Sequence, residues 1–131
     1  MSIKKSISTE NFPTPIGAYS NGLVVPVGDK ELIVLTGQVA LAKDGTVACE
    51  KPADQMRFIF ENIKELLQAA GADIDNIIRV VIYVTDMNYF GEISPVRNEY
   101  LKDSRPVSTL VEVNKLAVDG CKVEVEVTAV K

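Results

Sequence analysis

The sequence predicts an α+β fold, one domain over residues 1–131, with a mixed sheet of five to six strands and two helices on one face. Three observations carry this. Residues 52–70 place apolar side chains at helical spacing. Residues 78–85 are β-branched and almost continuously apolar. Residues 108–114 and 123–129 alternate from one residue to the next. The first pattern makes an amphipathic helix, the second a strand covered on both faces, and the third strands with one packed face.

In chain order, a short strand is expected near residues 3–7. Asn11 to Ile16, with Pro13 and Pro15, forms an irregular approach to the first long strand. Two apolar runs, 19–27 and 31–40, flank Gly28-Asp29-Lys30, a hairpin signal. Lys43-Asp44-Gly45-Thr46 marks a second turn. In the helix over 52–70, Met56, Ile59, Phe60, Ile63, Leu66, Leu67 and Ala70 share a face. Pro52 suits its first turn and Gly71 its C-terminal cap. After the strand at 78–85, a shorter helix is expected around 89–101, with Ile93, Val96 and Tyr100 inward and Pro95 starting or kinking it. The two alternating strands complete the order β-β-β-α-β-α-β-β.

Two helices cover one face of such a sheet. The strand at 78–85 is apolar on both, and the chain has no element left for the second face. A homo-oligomer is the simplest cover.

Composition narrows the chemistry. There is no histidine and no tryptophan, and only two cysteines, Cys49 and Cys121. Ser-His-Asp and Cys-His machines are thereby excluded, as are histidine zinc sites and four-cysteine sites. No metal or other cofactor is expected. A net charge of −4 with scattered basic residues weighs against nucleic acid as a partner. Lys4-Lys5, the one adjacent basic pair, suits a solvated terminus. No apolar run reaches membrane-span length and no signal-peptide pattern appears at the N-terminus, so no membrane partner is expected and the cytoplasm is the default.

Several blocks follow one another along the chain. They are Ile16-Gly17-Ala18-Tyr19-Ser20-Asn21-Gly22, Thr36-Gly37-Gln38, Gln55 through Lys64 closing at Ala69-Ala70-Gly71, Asp86-Met87-Asn88 with Phe90, Val111-Glu112-Val113, and Val123-Glu124-Val125-Glu126. As an ordered set they resemble the Rid (YjgF/YER057c/UK114) family over nearly the whole chain. The resemblance implies a chorismate-mutase-like fold assembled as a homotrimer, with a cleft between each pair of subunits. It also implies hydrolysis of small imine and enamine metabolites such as 2-aminoacrylate to a 2-keto acid and ammonia.

The resemblance assigns catalytic roles to Tyr19, Thr36 and Glu124, and substrate contacts to Gly37, Asn88, Ser108 and Leu110. Each has a plainer alternative. Tyr19 could be a core ring. Thr36-Gly37 could be an ordinary strand end with a bulge or close-approach glycine. Asn88 could cap the second helix. Glu124 and Glu126 could be solvated carboxylates on an outer strand face. Cys121 could be an ordinary loop thiol, although the adjacent Lys122 could lower its pKa.

One departure stands out. The family's Pro-Ala-Arg-Ser stretch, whose arginine holds a substrate carboxylate, here reads Pro106-Val107-Ser108-Thr109, and the neighbouring family cysteine is Leu110. The following Leu-Pro reads Leu116-Ala117, and the loop to Glu124 is one residue longer. Arg105 lies three residues before Ser108. Side chains alternate in a strand, so the odd offset points it to the opposite face, and at ~3.3 Å per residue it starts roughly 10 Å away; Arg105 is not expected to replace the missing arginine. A hydroxyl in place of a guanidinium fork favours a neutral or differently shaped ligand. Three functions therefore stay in play: an imine/enamine deaminase with a changed substrate, a non-catalytic small-ligand-binding trimer, and an endoribonuclease or translation inhibitor, against which the acidic balance weighs.

Overall fold

The computed structural model describes residues 3–7 and 9–131. Six strands and two helices run in the order β1 (Lys5–Ser6), β2 (Gly22–Val27), β3 (Lys30–Leu35), α1 (Pro52–Ala69), β4 (Ile77–Val84), α2 (Phe90–Leu101), β5 (Val107–Glu112) and β6 (Val123–Val130). The strands form one sheet in the order β1-β2-β3-β6-β4-β5. Only β4 and β5 are parallel, joined through α2, and every other pair is antiparallel. The expected mixed sheet of six strands and two helices is present.

The hairpin turn is tighter than the sequence suggests. Val27 already pairs with Lys30, so Gly28 and Asp29 alone make the turn. Gly28 takes φ 63° at the first central position, where hairpin turns of the II′ kind require glycine.

Helix α1 starts with Pro52 in its first turn and ends in a Schellman motif. Gly71, at φ 79°, donates to the Gln68 carbonyl, and Ala72 N–H donates to that of Leu67. Helix α2 begins at Phe90 and runs through Pro95, so the proline does not start it. The chain enters it through a 3-10 turn at Met87–Tyr89 that Asp86 caps by accepting from Asn88 N–H. Asn88 is therefore not the cap.

The core lies between the helices and one sheet face. Ile59, Phe60, Ile63, Leu66 and Leu67 of α1 meet Val123, Val125, Val127 and Ala129 of β6 and Val80, Ile82 and Val84 of β4 in one buried cluster. Ile93 and Val96 of α2 are buried as expected. Tyr100 instead stacks on Phe60 at its margin, with ring centroids 4.9 Å apart.

The opposite face carries Val34, Arg79, Val81, Tyr83, Val107, Val111, Glu124, Glu126 and Thr128, by their pairing registers. Neither helix packs there, and Val107 remains 68% exposed and Val34 and Val111 40% exposed.

Candidate functional site

The site grows from the point where β3 ends and meets the centre of the sheet. Beyond Leu35 the chain does not leave at once. Gln38 N–H donates to the Val125 carbonyl at 2.8 Å and Val125 N–H returns a bond at 3.0 Å, one isolated bridge past the strand. Thr36 N–H is held by the Asn21 carbonyl at 2.9 Å, and the Gln38 side chain holds the Thr36 carbonyl at 3.1 Å. Gln38 is itself buried. Thr36 and Gly37 are thus fixed beside β6 without being part of a strand.

This placement lets Glu124 lie over Gly37. A methyl group added at Gly37 would stand 2.9 Å from Glu124 Cδ, closer than carbon atoms approach, and a tight 3.2 Å from its Cγ. The close-approach reading of Gly37 is the one the structure bears out. Glu124 is half-buried. Burial, and then the charge of Glu126, push its carboxyl above the ordinary value of 4.5. On the same face, Tyr83 Oη donates to Glu126 Oε1, which raises the Tyr83 hydroxyl pKa. The two carboxylates are therefore not equivalent: Glu126 has a phenol partner and Glu124 faces open space.

That space is a cavity of about 500 Å³ lined by Tyr19, Thr36, Gly37 and Glu124, with Phe12 and Asn62 among the residues completing its wall. The volume falls within the range of small-molecule sites. Tyr19 is 52% exposed and is not a core ring. Four of the seven predicted site residues thus meet in one cavity.

The other three do not join them. Asn88 is exposed in the middle of the 3-10 turn before α2. Leu110 packs against the chain's own core, on the helix side of β5. Ser108 lines a different recess of about 590 Å³, together with Arg97, Lys102 and Arg105. Arg105 does not turn away from Ser108 as expected. Alternation holds only inside a strand, β5 starts at Val107, and Arg105 sits before it at φ 46°. Both residues line the same recess.

One residue that organises the site has no role in the sequence reading. Gln55 is fully buried on the apolar face of α1. Its Nε2 donates to the Cys49 carbonyl at 3.0 Å and the Gly120 carbonyl at 2.8 Å, and its Oε1 accepts from Lys122 N–H at 2.8 Å. It pins the loop that delivers Glu124. The available signal was an amide four residues before Ile59, inside an otherwise apolar stripe.

Cysteine chemistry loses ground. Cys121 is buried, and desolvation, then the Glu124 charge, push its thiol up rather than down. Cys49 shifts the same way, first through burial and then through Asp54. Among the described residues no group of three or more His, Cys, Asp or Glu side chains could hold a metal ion. No helix among them is long and apolar enough to cross a membrane.

Residues 9–131 match the family model described as Endoribonuclease L-PSP. The chain belongs to the Rid family. This Rid protein is 37% identical over 130 residues to a RutC family protein of Pyrococcus horikoshii, covering 98% of this chain and 99% of the relative. It is 32% identical over 133 residues to the 2-iminobutanoate/2-iminopropanoate deaminase of Salmonella typhimurium, covering 98% and 99% of the two chains. Its fold matches the crystal structure of a Rid family protein of unknown function from Yersinia pestis with a TM-score of 0.85, 30% identity and coverage of 96% and 98%.

Proposed function

We propose that this Rid protein is an imine or enamine deaminase whose substrate differs from the ordinary 2-imino acids. The observation that carries the reading is the half-buried Glu124 held over Gly37, facing the cavity that Tyr19 and Thr36 also line. In the reaction, water adds to the carbon of a C=N bond, its proton passing by way of Glu124 to the nitrogen. The carbinolamine so formed collapses to a carbonyl and releases ammonia. A carboxylate that accepts and returns a proton works best when its pKa lies toward the working pH, and burial shifts Glu124 in that direction. Thr36 and Tyr19 supply hydroxyls to orient water and ligand.

The assembly that fits is a homotrimer. The uncovered sheet face with Val34, Val107 and Val111 supports self-association. Ser108 and Asn88 are exposed and stand away from the Glu124 cavity of their own chain, as residues would that complete a neighbour's cleft, whereas Leu110 packs on its own core.

Ser108 changes the substrate. A guanidinium grips a carboxylate with two charge-assisted bonds, and a hydroxyl offers one neutral donor. Losing a bond to a charged group costs about 1.5–3 kcal/mol, roughly a 10- to 150-fold loss in binding. The same substitution supports a second reading, a trimer that binds a small ligand without turning it over.

The deciding experiment follows pyruvate release from freshly generated 2-aminoacrylate. We expect weak activity in the natural protein, a gain of about 10-fold or more in Ser108→Arg, and loss in Glu124→Ala. Full activity in Glu124→Ala overturns the assignment. Ligand-induced stabilisation with no turnover in any variant favours the second reading.

A further inference from the structure

The recess between the C-terminal half of α2 and the start of β5 gathers three cationic side chains, Arg97, Lys102 and Arg105, beside the Ser108 hydroxyl, and no acidic residue lines it. None of the three forms an ion pair among the described residues. Arg97 is held by neutral partners alone. Its Nη2 donates to Ser94 Oγ at 3.1 Å, its Nε to Asn98 Oδ1 at 3.2 Å, and its guanidinium stands 5.8 Å from the Phe90 ring centroid. These contacts hold the guanidinium along α2 without neutralising it. Lys102 also borders a neighbouring recess with Glu61, Asp73 and Asp75, so its charge serves both sides. Glu99, which also lines that neighbouring recess, is paired with Arg57 at 3.0 Å.

Arg105 occupies the one non-glycine position with positive φ among the described residues, 46°. Its N–H donates to the Leu101 carbonyl at 2.9 Å and closes the end of α2. Glycine or asparagine would take that backbone more readily. The arginine side chain is thus kept where the backbone alone does not favour it.

We propose that this recess binds the phosphate group of a small phosphorylated metabolite. Two arginines without acidic partners and a shared lysine suit a dianion better than a single carboxylate. The volume of about 590 Å³ leaves room for an organic body, and Leu101 and Pro106 give it an apolar wall. The C-terminal end of α2 opposes an anion with roughly half an elementary negative charge, which the charges of Arg97 and Arg105 outweigh. The inference stands on the recess itself, which shares no lining residue with the Glu124 cavity of the same chain; Ser108 is the one residue it has in common with the deaminase reading.

Titration calorimetry with ribose 5-phosphate, inorganic phosphate and succinate tests it on the full chain. Saturable binding of ribose 5-phosphate is expected, tighter than either other probe and weakening as salt rises. Arg97→Ala and Lys102→Ala each weaken it, and Arg105→Gly weakens it about 10-fold or more. Arg105→Gly also relieves the backbone, so its Tm is expected to hold or rise, which separates lost binding from lost folding. Inorganic phosphate binding as tightly as ribose 5-phosphate overturns the metabolite assignment. Equal binding of succinate, binding that survives Arg105→Gly, or no saturable binding overturns the site.

Discussion

Glu124 and Gly37 form one unit: the carboxylate of the first rests on the bare Cα of the second, and no side chain fits between them. This contact joins the end of β3 to the centre of the sheet and turns a strand carboxylate into a wall of a cavity.

Gly37→Ala therefore pushes Glu124 from its place. The expected result is a loss of deaminase turnover of about 10-fold or more, the scale of a misplaced general base, with far-ultraviolet circular dichroism unchanged. Gln38 and Val125 still exchange their backbone bonds in the variant, so the fold survives. Turnover equal to that of the natural protein shows that Glu124 does not act from this position.

Glu124→Gln should make the protein more stable, and only above acid pH. The folded-state pKa of Glu124 is raised, chiefly by burial. The folded state therefore holds this proton more tightly than the unfolded chain, whose ordinary value is 4.5. That contribution is fully present below pH 4.5 and is lost as pH rises through the higher folded value. At neutral pH the ionised Glu124 is a burden that glutamine removes. Thermal melts should show Glu124→Gln above the natural protein by a few °C near pH 8, with the gap closing near pH 3.5. A gap that widens in acid reverses the sign and refutes the burial argument.

Gln55→Leu should be destabilising although it places an apolar side chain in an apolar core. Leucine strands the Cys49 and Gly120 carbonyls and the Lys122 N–H together. Part of that loss returns through water at the loop surface, leaving about 2–3 kcal/mol in urea unfolding. Turnover should fall as well, because the same loop leads into Glu124. Stability unchanged within error shows that the loop is held by other contacts.

How much of this was legible in the sequence varied with the range of the signal. Helix α1 could be read almost to the residue, since Pro52, the apolar stripe and Gly71 are all local. The second helix was found, but Pro95 suggested a start that Asp86 and the 3-10 turn supply instead. The alternation in β6 correctly set Val123, Val125, Val127 and Ala129 apart from Glu124 and Glu126. Where alternation was extended beyond a strand end it misled, because Arg105 turns at positive φ. The grouping of Tyr19, Thr36, Gly37 and Glu124 came from the family resemblance. Strand order is a long-range property, and no local pattern announces that β6 lies next to β3. Gln55 was passed over because a single amide in an apolar stripe reads as tolerance until its three partners are seen.

The position of β6 between β3 and β4 has a consequence in time. The hairpin of β2 and β3 and the unit of β4, α2 and β5 have no strand pairing with each other except through residues 123–130. On a ribosome, which emits the chain from its N-terminus, both halves of the sheet must wait as unpaired edges until this segment emerges. Pairings so distant in sequence are the slow ones in folding. The cavity inherits the same delay: Thr36 and Gly37 are made early and Glu124 late, so the segment that closes the sheet also delivers the carboxylate.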